Sequence, residues 1–295
     1  MDAADLRLFA AVARTGGIGK AAIELNTVQS NVTARLKALE DRLGVPLFER
    51  SSRGVVLTAA GHRLLPYADR IVHLLEAARR AVSDDGQPAG PLVIGSLETT
   101  AALHLSPFLA RFAKLHPAVD LSLKTGTSCE LIAQVLDRQL DGAFVCGPVE
   151  HADLKVEPIC SEELVLLAAP GVSNIEELLK ATEFKIVVLR AGCSYRLILE
   201  AFLARRGIVG LRVLEFGTIE TIISCVGAGL GVTLLPKALI GSVWQDNRVS
   251  AHALPKEEGH VETVFIQHRD AYATSALQAF LGMSRPALTR LTAAE

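Results

Sequence analysis

No stretch of this chain stays apolar for the roughly 18 to 20 residues that a membrane-spanning helix needs, and it opens on Met1-Asp2-Ala3-Ala4-Asp5, acidic where an export signal is basic. A protein that stays in the cytoplasm is therefore expected, without a membrane partner. The five cysteines, Cys129, Cys146, Cys160, Cys193 and Cys225, are odd in number, widely spaced and free of any C-x-x-C pair, which favours reduced, buried thiols over a disulfide framework. No G-x-S-x-G elbow, H-E-x-x-H pattern or P-loop occurs, and the eight histidines are scattered. Accordingly no catalytic residue, metal or cofactor is assigned, and an enzyme has no constellation to stand on. Gly227-Ala228-Gly229-Leu230-Gly231 could pass for a dinucleotide fingerprint, but it follows a helical pattern and precedes a strand. That order predicts a helix stop and a tight return.

At 295 residues, half of them apolar, the chain is long enough for two or three packed units. Its net charge of −2 conceals an asymmetry: residues 1–83 carry a net +4 and the rest a net −6. A modest basic excess at one end suits phosphate contact.

That end reads as three short helices. Leu6, Phe9, Val12 and Ala13 make one apolar stripe; after Gly16-Gly17, Ile18, Ala21, Ala22 and Leu25 make a second. A tight connection, Asn26-Thr27-Val28, with Thr27 as expected N-cap, leads to a third helix whose apolar stripe is Val32, Leu36, Leu39 and Leu43. Its other side carries Ser30, Thr33, Ala34 and Lys37, and its first turns carry Gln29, Ser30, Asn31 and Thr33. These are short donor and acceptor side chains, the types that read base edges in a groove, where an ordinary surface helix favours Glu/Lys pairs. Residues 49–58 then predict a hairpin wing whose Arg50 and Arg53 can meet phosphates or a minor groove. From Thr58 a helix is expected to about Val82, with Leu64, Ala68, Ile71, Leu75, Ala78 and Val82 spaced as a coiled-coil seam and Pro66 kinking or loosening its first turns. One exposed seam calls for a dimer. Residues 83–91 have linker composition.

The remainder alternates strands (92–95, 119–123, 143–145, 164–168, 186–189, 213–216, 232–235, 264–267) with helices (101–115, 129–136, 197–206, 219–226, 275–283), which argues an α/β domain with largely parallel sheets. Ala169-Pro170-Gly171 permits division into two lobes. Several strand ends run into small hydroxyl residues at a helix start: Glu98-Thr99-Thr100, Gly126-Thr127-Ser128, Gly192-Cys193-Ser194 and Gly217-Thr218. If they converge, their amides and helix dipoles form a cleft for a small carboxylate or phosphate. Glu98 would repel such an anion unless it turns outward or the ligand bears an amino group. Two alternatives stand beside a ligand-controlled DNA binder: a thiol-redox regulator using Cys193 and Cys225, and an enzyme on the two-lobed scaffold.

On these residues the chain resembles the LysR-type transcriptional regulators over essentially its whole length. The motifs are Phe9-Ala10-Ala11-Val12, Ala21-Ala22-Ile23-Glu24-Leu25, Gln29-Ser30-Asn31-Val32-Thr33, Leu39-Glu40, Leu43-Gly44-Val45-Pro46-Leu47-Phe48-Glu49-Arg50, Leu57-Thr58-Ala59-Ala60-Gly61, Ala191-Gly192-Cys193-Ser194-Tyr195-Arg196 and Gly227 through Pro236. The resemblance implies an all-α winged helix-turn-helix DNA-binding domain (1–58), a dimerisation linker helix and hinge (59–90), and an α/β two-lobed effector domain resembling periplasmic binding proteins (91–295). Lobe one would be 91–168 with 263–295, and lobe two 169–262. It implies double-stranded DNA, a small-molecule effector and a second copy as partners, a homodimer through 59–85 assembled further into a homotetramer, with RNA polymerase a further candidate. Gln29, Ser30, Asn31, Thr33 and Arg35, with Arg50 and Arg53 in the wing, match positions that face DNA; Lys37 joins them from the helix face. Thr99, Thr100, Thr127, Ser194 and Thr218 match positions lining the effector cleft. Members often have Ser at the positions of Gly17 and Val28 and Pro at that of Ser30, which leaves capping to Thr27.

Overall fold

The computed structural model describes residues 1–51, 54–174, 184–242 and 248–292. The chain divides into two compact units, residues 1–85 with 137–139, and residues 86–136 with 140–295.

In the first unit, α1 (Ala3–Thr15) begins with a reciprocal cap between Asp2 and Asp5 and ends at Gly16, whose left-handed backbone (φ 66°) is the conformation glycine adopts without a Cβ penalty. Helices α2 (Ile18–Glu24) and α3 (Gln29–Leu43) follow. Leu6, Phe9, Val12, Ala21, Ala22, Val32, Leu36 and Leu39 close one core with Leu47. The expected stripes meet there, except that Leu43 is 38% exposed at the helix end. The N-cap of α3 is Val28, not Thr27, and no side chain caps it. Thr27 lies one residue too early, and its hydroxyl accepts instead from the Asn31 side-chain amide at 2.9 Å.

Strands β1 (Phe48–Ser51) and β2 (Gly54–Leu57) pair antiparallel as the expected wing. The Glu40 carboxylate accepts from the amides of Leu47 (2.7 Å) and Phe48 (3.2 Å), and so fixes the wing's entry to the third helix. Helix α4 (Ala59–Ser83) is capped by Thr58, which accepts from the Gly61 amide at 3.0 Å. Gly61 is required by close approach: a Cβ there would stand 2.2 Å from the Leu47 carbonyl oxygen. The helix continues on both sides of Pro66 to Ser83. Its expected seam is split. Leu64 and Ala68 pack into the winged core, while Tyr67, Ile71, Leu74, Leu75 and Val82 are exposed.

The second unit is built on a seven-stranded sheet in the order β10-β6-β11-β5-β3-β4, with β9 also on β6, and a separate parallel pair β7-β8. The strands are β3 (Gly90–Ser96), β4 (Val119–Thr125), β5 (Gly142–Cys146), β6 (Leu154–Ala168), β7 (Lys185–Leu189), β8 (Arg212–Phe216), β9 (Thr233–Pro236), β10 (Ser250–Ala253) and β11 (His260–His268). Between them lie α5 (Glu98–Thr100), a π-helical turn (Ala101–Leu105), α6 (Ser106–Leu115), α7 (Ser128–Leu136), α8 (Ser194–Arg205), α9 (Ile219–Gly227), α10 (Lys237–Ser242) and α11 (Ser275–Thr292). Parallel pairing holds for β3 with β4 and β5 and for β7 with β8, but β6 and β11 pair antiparallel with all their neighbours, so the sheets are mixed.

The exception is informative because β6 passes from one lobe to the other. Residues 154–163 of β6 run against β11, whereas residues 164–167 pair with β9 and 165–168 with β10. The partner of β6 thus changes between residues 163 and 164, inside the segment expected to belong wholly to the first lobe. Pro158 cannot donate to a ladder, and the β6–β11 register shifts between Thr263 and Val264, opposite Cys160 and Pro158, as a bulge. Helix α9 ends at Gly227 and Gly229 adopts φ 80° before β9, so the glycine-rich segment is a helix stop and return, as expected.

Candidate functional sites

The outer side of α3 is open. Gln29, Ser30, Asn31, Thr33 and Lys37 are all exposed. The side chains of Gln29, Ser30 and Lys37 make no hydrogen bond or ion pair among the described residues. Asn31 is tied to Thr27, and the Thr33 hydroxyl donates to the Gln29 carbonyl at 2.9 Å, which leaves each some acceptor or donor capacity toward solvent. Arg35 is elsewhere. Its Nη2 donates to Asp5 Oδ1 at 2.6 Å and to Asp2 Oδ1 at 3.2 Å, and its Nε donates to Asp5 Oδ1 at 3.1 Å. Arg42 Nη2 donates to Asp5 Oδ2 at 2.6 Å. Asp5 is 3% exposed. Its burial alone would raise the carboxyl's pKa, but the hydrogen bonds from Arg35, the Asp2 amide and Arg42 outweigh burial and hold it below the ordinary aspartate value. Arg35 thus joins α3 to α1 and is not a free cation on the groove-reading face. Arg50 contributes backbone to β1; its side chain, and all of Arg53, lie outside the described residues.

In the second unit the four strand-end segments do converge. A cleft of about 150 Å³ is lined from the first lobe by Leu97, Glu98, Thr99, Thr125, Gly126 and Thr127 and from the second by Leu189, Arg190, Cys193, Tyr195 and Gly217. Of the expected effector residues, Thr99 and Thr127 line it. Thr100 is fully buried and its hydroxyl has no partner. Ser194 donates to Ser128 Oγ at 2.9 Å, joining the two lobes behind the cleft. Thr218 is spent on capping α9, accepting from the Thr221 amide at 3.3 Å. Tyr195 and Arg190 line the cleft beyond the expected residues; Tyr195 stands in the 191–196 motif and Arg190 immediately precedes it.

The cleft's electrostatics differ from a simple anion cradle. The amide at the start of α7 expected to be free for an anion is already used: Thr127 N donates to Glu130 Oε2 at 2.9 Å. That bond, with Arg190 Nη2 at 3.0 Å from the same oxygen, holds the Glu130 carboxyl below its ordinary value. The Arg190–Glu130 pair spans the lobes. Gly192 lets the second lobe's loop come this close, since a Cβ there would stand 3.0 Å from Thr127 Oγ1 and its φ is 91°. Glu98, by contrast, has no ion-pair partner among the described residues.

Beneath the cleft lies a buried polar cluster. Thr99 Oγ1 and the Tyr195 hydroxyl are 3.0 Å apart, and Tyr195 donates on to Glu162 Oε2 at 3.5 Å. Glu162 also accepts from Thr263 Oγ1 at 3.1 Å and pairs with His104 Nε2 at 2.7 Å. Burial, then the Glu162 charge, pushes the Tyr195 phenol well up, so it stays a neutral donor. Glu162 and Thr263 sit on β6 and β11, and β6 runs on into the second lobe, so the cleft floor is hydrogen-bonded to the strand that joins the lobes.

Three of the five thiols, Cys193 of the redox alternative among them, are ill suited to redox sensing. Burial pushes Cys146 up to about 11 and Cys160 up to about 12, and raises Cys193 as well. A thiol held protonated at neutral pH is a poor nucleophile.

Residues 85–289 match the family described as the LysR substrate binding domain, and residues 3–62 match that described as bacterial regulatory helix-turn-helix protein, lysR family. The chain is 43% identical over 279 residues to the HTH-type transcriptional regulator GltR of Bacillus subtilis (strain 168), covering 94% of this chain and 93% of that protein. It is 45% identical over 281 residues to the HTH-type transcriptional regulator YofA of the same organism, covering 95% and 97%. A crystal structure of full-length CbnR complexed with its target DNA has the same fold, with TM-score 0.67 over 97% of this chain and 100% of that one at 24% identity.

Proposed function

The chain belongs to the LysR family of transcriptional regulators, and from that premise we propose that it binds DNA sequence-specifically under the control of a small effector, with an anionic group, in the cleft between the lobes of its second unit. The observation that carries the DNA half is the face of α3, where Gln29, Ser30 and Lys37 are exposed and unengaged. The observation that carries the effector half is the cleft whose floor residue Tyr195 touches Glu162 on a hinge strand. A ligand that favours one lobe arrangement shifts the population toward it, by as much as its affinity differs between the two. The protein acts in the cytoplasm, as a dimer through the exposed face of α4 and as a tetramer of two such dimers. An enzymatic reading has little support beside relatives that are HTH-type transcriptional regulators over nearly the whole chain.

The test uses duplexes selected by the full-length protein from a random pool. Gln29→Ala is expected to lose roughly 1 to 3 kcal/mol on the selected duplex and little on random duplex. Equal binding of both duplexes by parent and variant would overturn the assignment of α3 as the reading helix.

A further inference from the structure

An open cleft that exposes an uncompensated carboxylate sets a condition on whatever fills it. In the unliganded molecule Glu98 is solvated and costs nothing. A ligand that displaces that water must either pair with the carboxylate or leave it desolvated against the ligand's own charge. A purely anionic effector does the second. Opposite Glu98, on the other lobe, Arg190 is a half-committed cation: one nitrogen is 3.0 Å from Glu130 and the side chain is 57% exposed, so further guanidinium N–H groups remain for a carboxylate. Thr99 and Tyr195 add buried hydroxyls to the same cleft. The space, about 150 Å³ and open on one side to solvent, admits a small aliphatic molecule.

We propose that the effector is a small zwitterion of the α-amino acid class, its ammonium on Glu98 of the first lobe and its carboxylate on Arg190 of the second. This rests on the cleft being the effector site, as argued above, and it adds what the ligand must carry besides its anionic group. It also gives the ligand a way to move the lobes. Its carboxylate competes with Glu130 for Arg190, exchanging a cross-lobe ion pair made by the protein for one bridged by the ligand.

The full-length protein is melted with L-alanine, L-serine, L-aspartate and L-glutamate, each against the acid lacking the amino group (propionate, 3-hydroxypropionate, succinate, glutarate) and against its α-amide. At least one amino acid is expected to raise Tm by several degrees at millimolar concentration, its matched acid and amide needing at least about tenfold more for the same shift. Glu98→Gln is expected to weaken that amino acid by about 10- to 100-fold and to leave the matched acid unchanged or tighter. A matched acid that binds as tightly as its amino acid, an unaffected Glu98→Gln variant, or stabilisation by none of the set overturns the zwitterion. Stabilisation by an amino acid that survives both Glu98→Gln and Arg190→Gln overturns the cleft reading itself.

Discussion

Asp5→Asn separates the structural role of Arg35 from the DNA-facing role its sequence position implies. The Asp5 carboxylate is 3% exposed and accepts from the Asp2 amide, twice from Arg35 and once from Arg42. Breaking a fully buried ion pair costs about 3 to 5 kcal/mol. Here the two guanidinium side chains are 36% and 49% exposed, so water recovers part of their solvation when Asp5 is neutralised. About 2 to 3 kcal/mol is therefore expected, which for a unit of this size is on the order of 10 to 20 °C in its melting temperature. The loss is read by hydrogen exchange at the α1 and α3 amides of the full-length protein. In the Asp5→Asn background, Arg35→Ala should cost at least about 1 kcal/mol less than in the parent, as residues sharing one ion pair do. The pH dependence has a fixed sign. Because the folded carboxyl lies below the ordinary aspartate value of about 3.9, its contribution is complete above that value and disappears as pH falls through the folded pKa. Parent and variant should therefore differ at pH 7 and converge in strong acid. A loss under about 0.5 kcal/mol at pH 7, or additive single variants, would refute the clamp and return Arg35 to the DNA-facing set.

Leu75→Lys, on the exposed face of α4, is expected to weaken self-association without unfolding the winged unit, because Leu75 is 44% exposed in the single chain; sedimentation velocity reads it, and an unchanged sedimentation coefficient at low micromolar protein would remove this face as the interface. Alkylation by iodoacetamide at pH 7.5 should mark Cys129, the exposed thiol, well before Cys146, Cys160 or Cys193, whose burial raises their pKa; fast labelling of Cys193 would reopen the redox reading. Glu162→Gln should leave ligand affinity within a few-fold, since Glu162 does not line the cleft, while reducing the ligand's effect on DNA binding. An unchanged effect would disconnect the cleft floor from the hinge.

What the sequence made legible was whatever is local. The periodicity of Val32, Leu36 and Leu39 fixed which side of α3 is buried, and the recurrence of small residues at four strand ends located the cleft before any geometry was known. What it hid depends on partners distant in the chain. Helical spacing places Arg35 near the polar face but cannot show that Asp5, thirty residues earlier, lies within its reach. Residues 154–160 contain Pro158, which cannot donate to a ladder, yet they form a strand because the structure absorbs that proline in a bulge. Thr218 and Ser194 look like ligand residues for the same reason they are useful elsewhere: a hydroxyl at a helix start caps the helix or bonds to a neighbouring hydroxyl as readily as it meets a ligand. The seam of α4 shows the converse, since its heptad spacing is real but Leu64 and Ala68 are taken by the winged core of the same chain.

If the cleft and the reading helix are coupled, linkage makes the coupling measurable in both directions. The amino acid that most stabilises the full-length protein is titrated in the absence and presence of a saturating selected duplex, and the duplex is titrated with and without that amino acid. Each is expected to change the other's affinity by the same factor, at least about fivefold, and Glu98→Gln to shift the ligand concentration needed without altering binding of the duplex alone. Equal affinities in all four titrations would contradict the coupling.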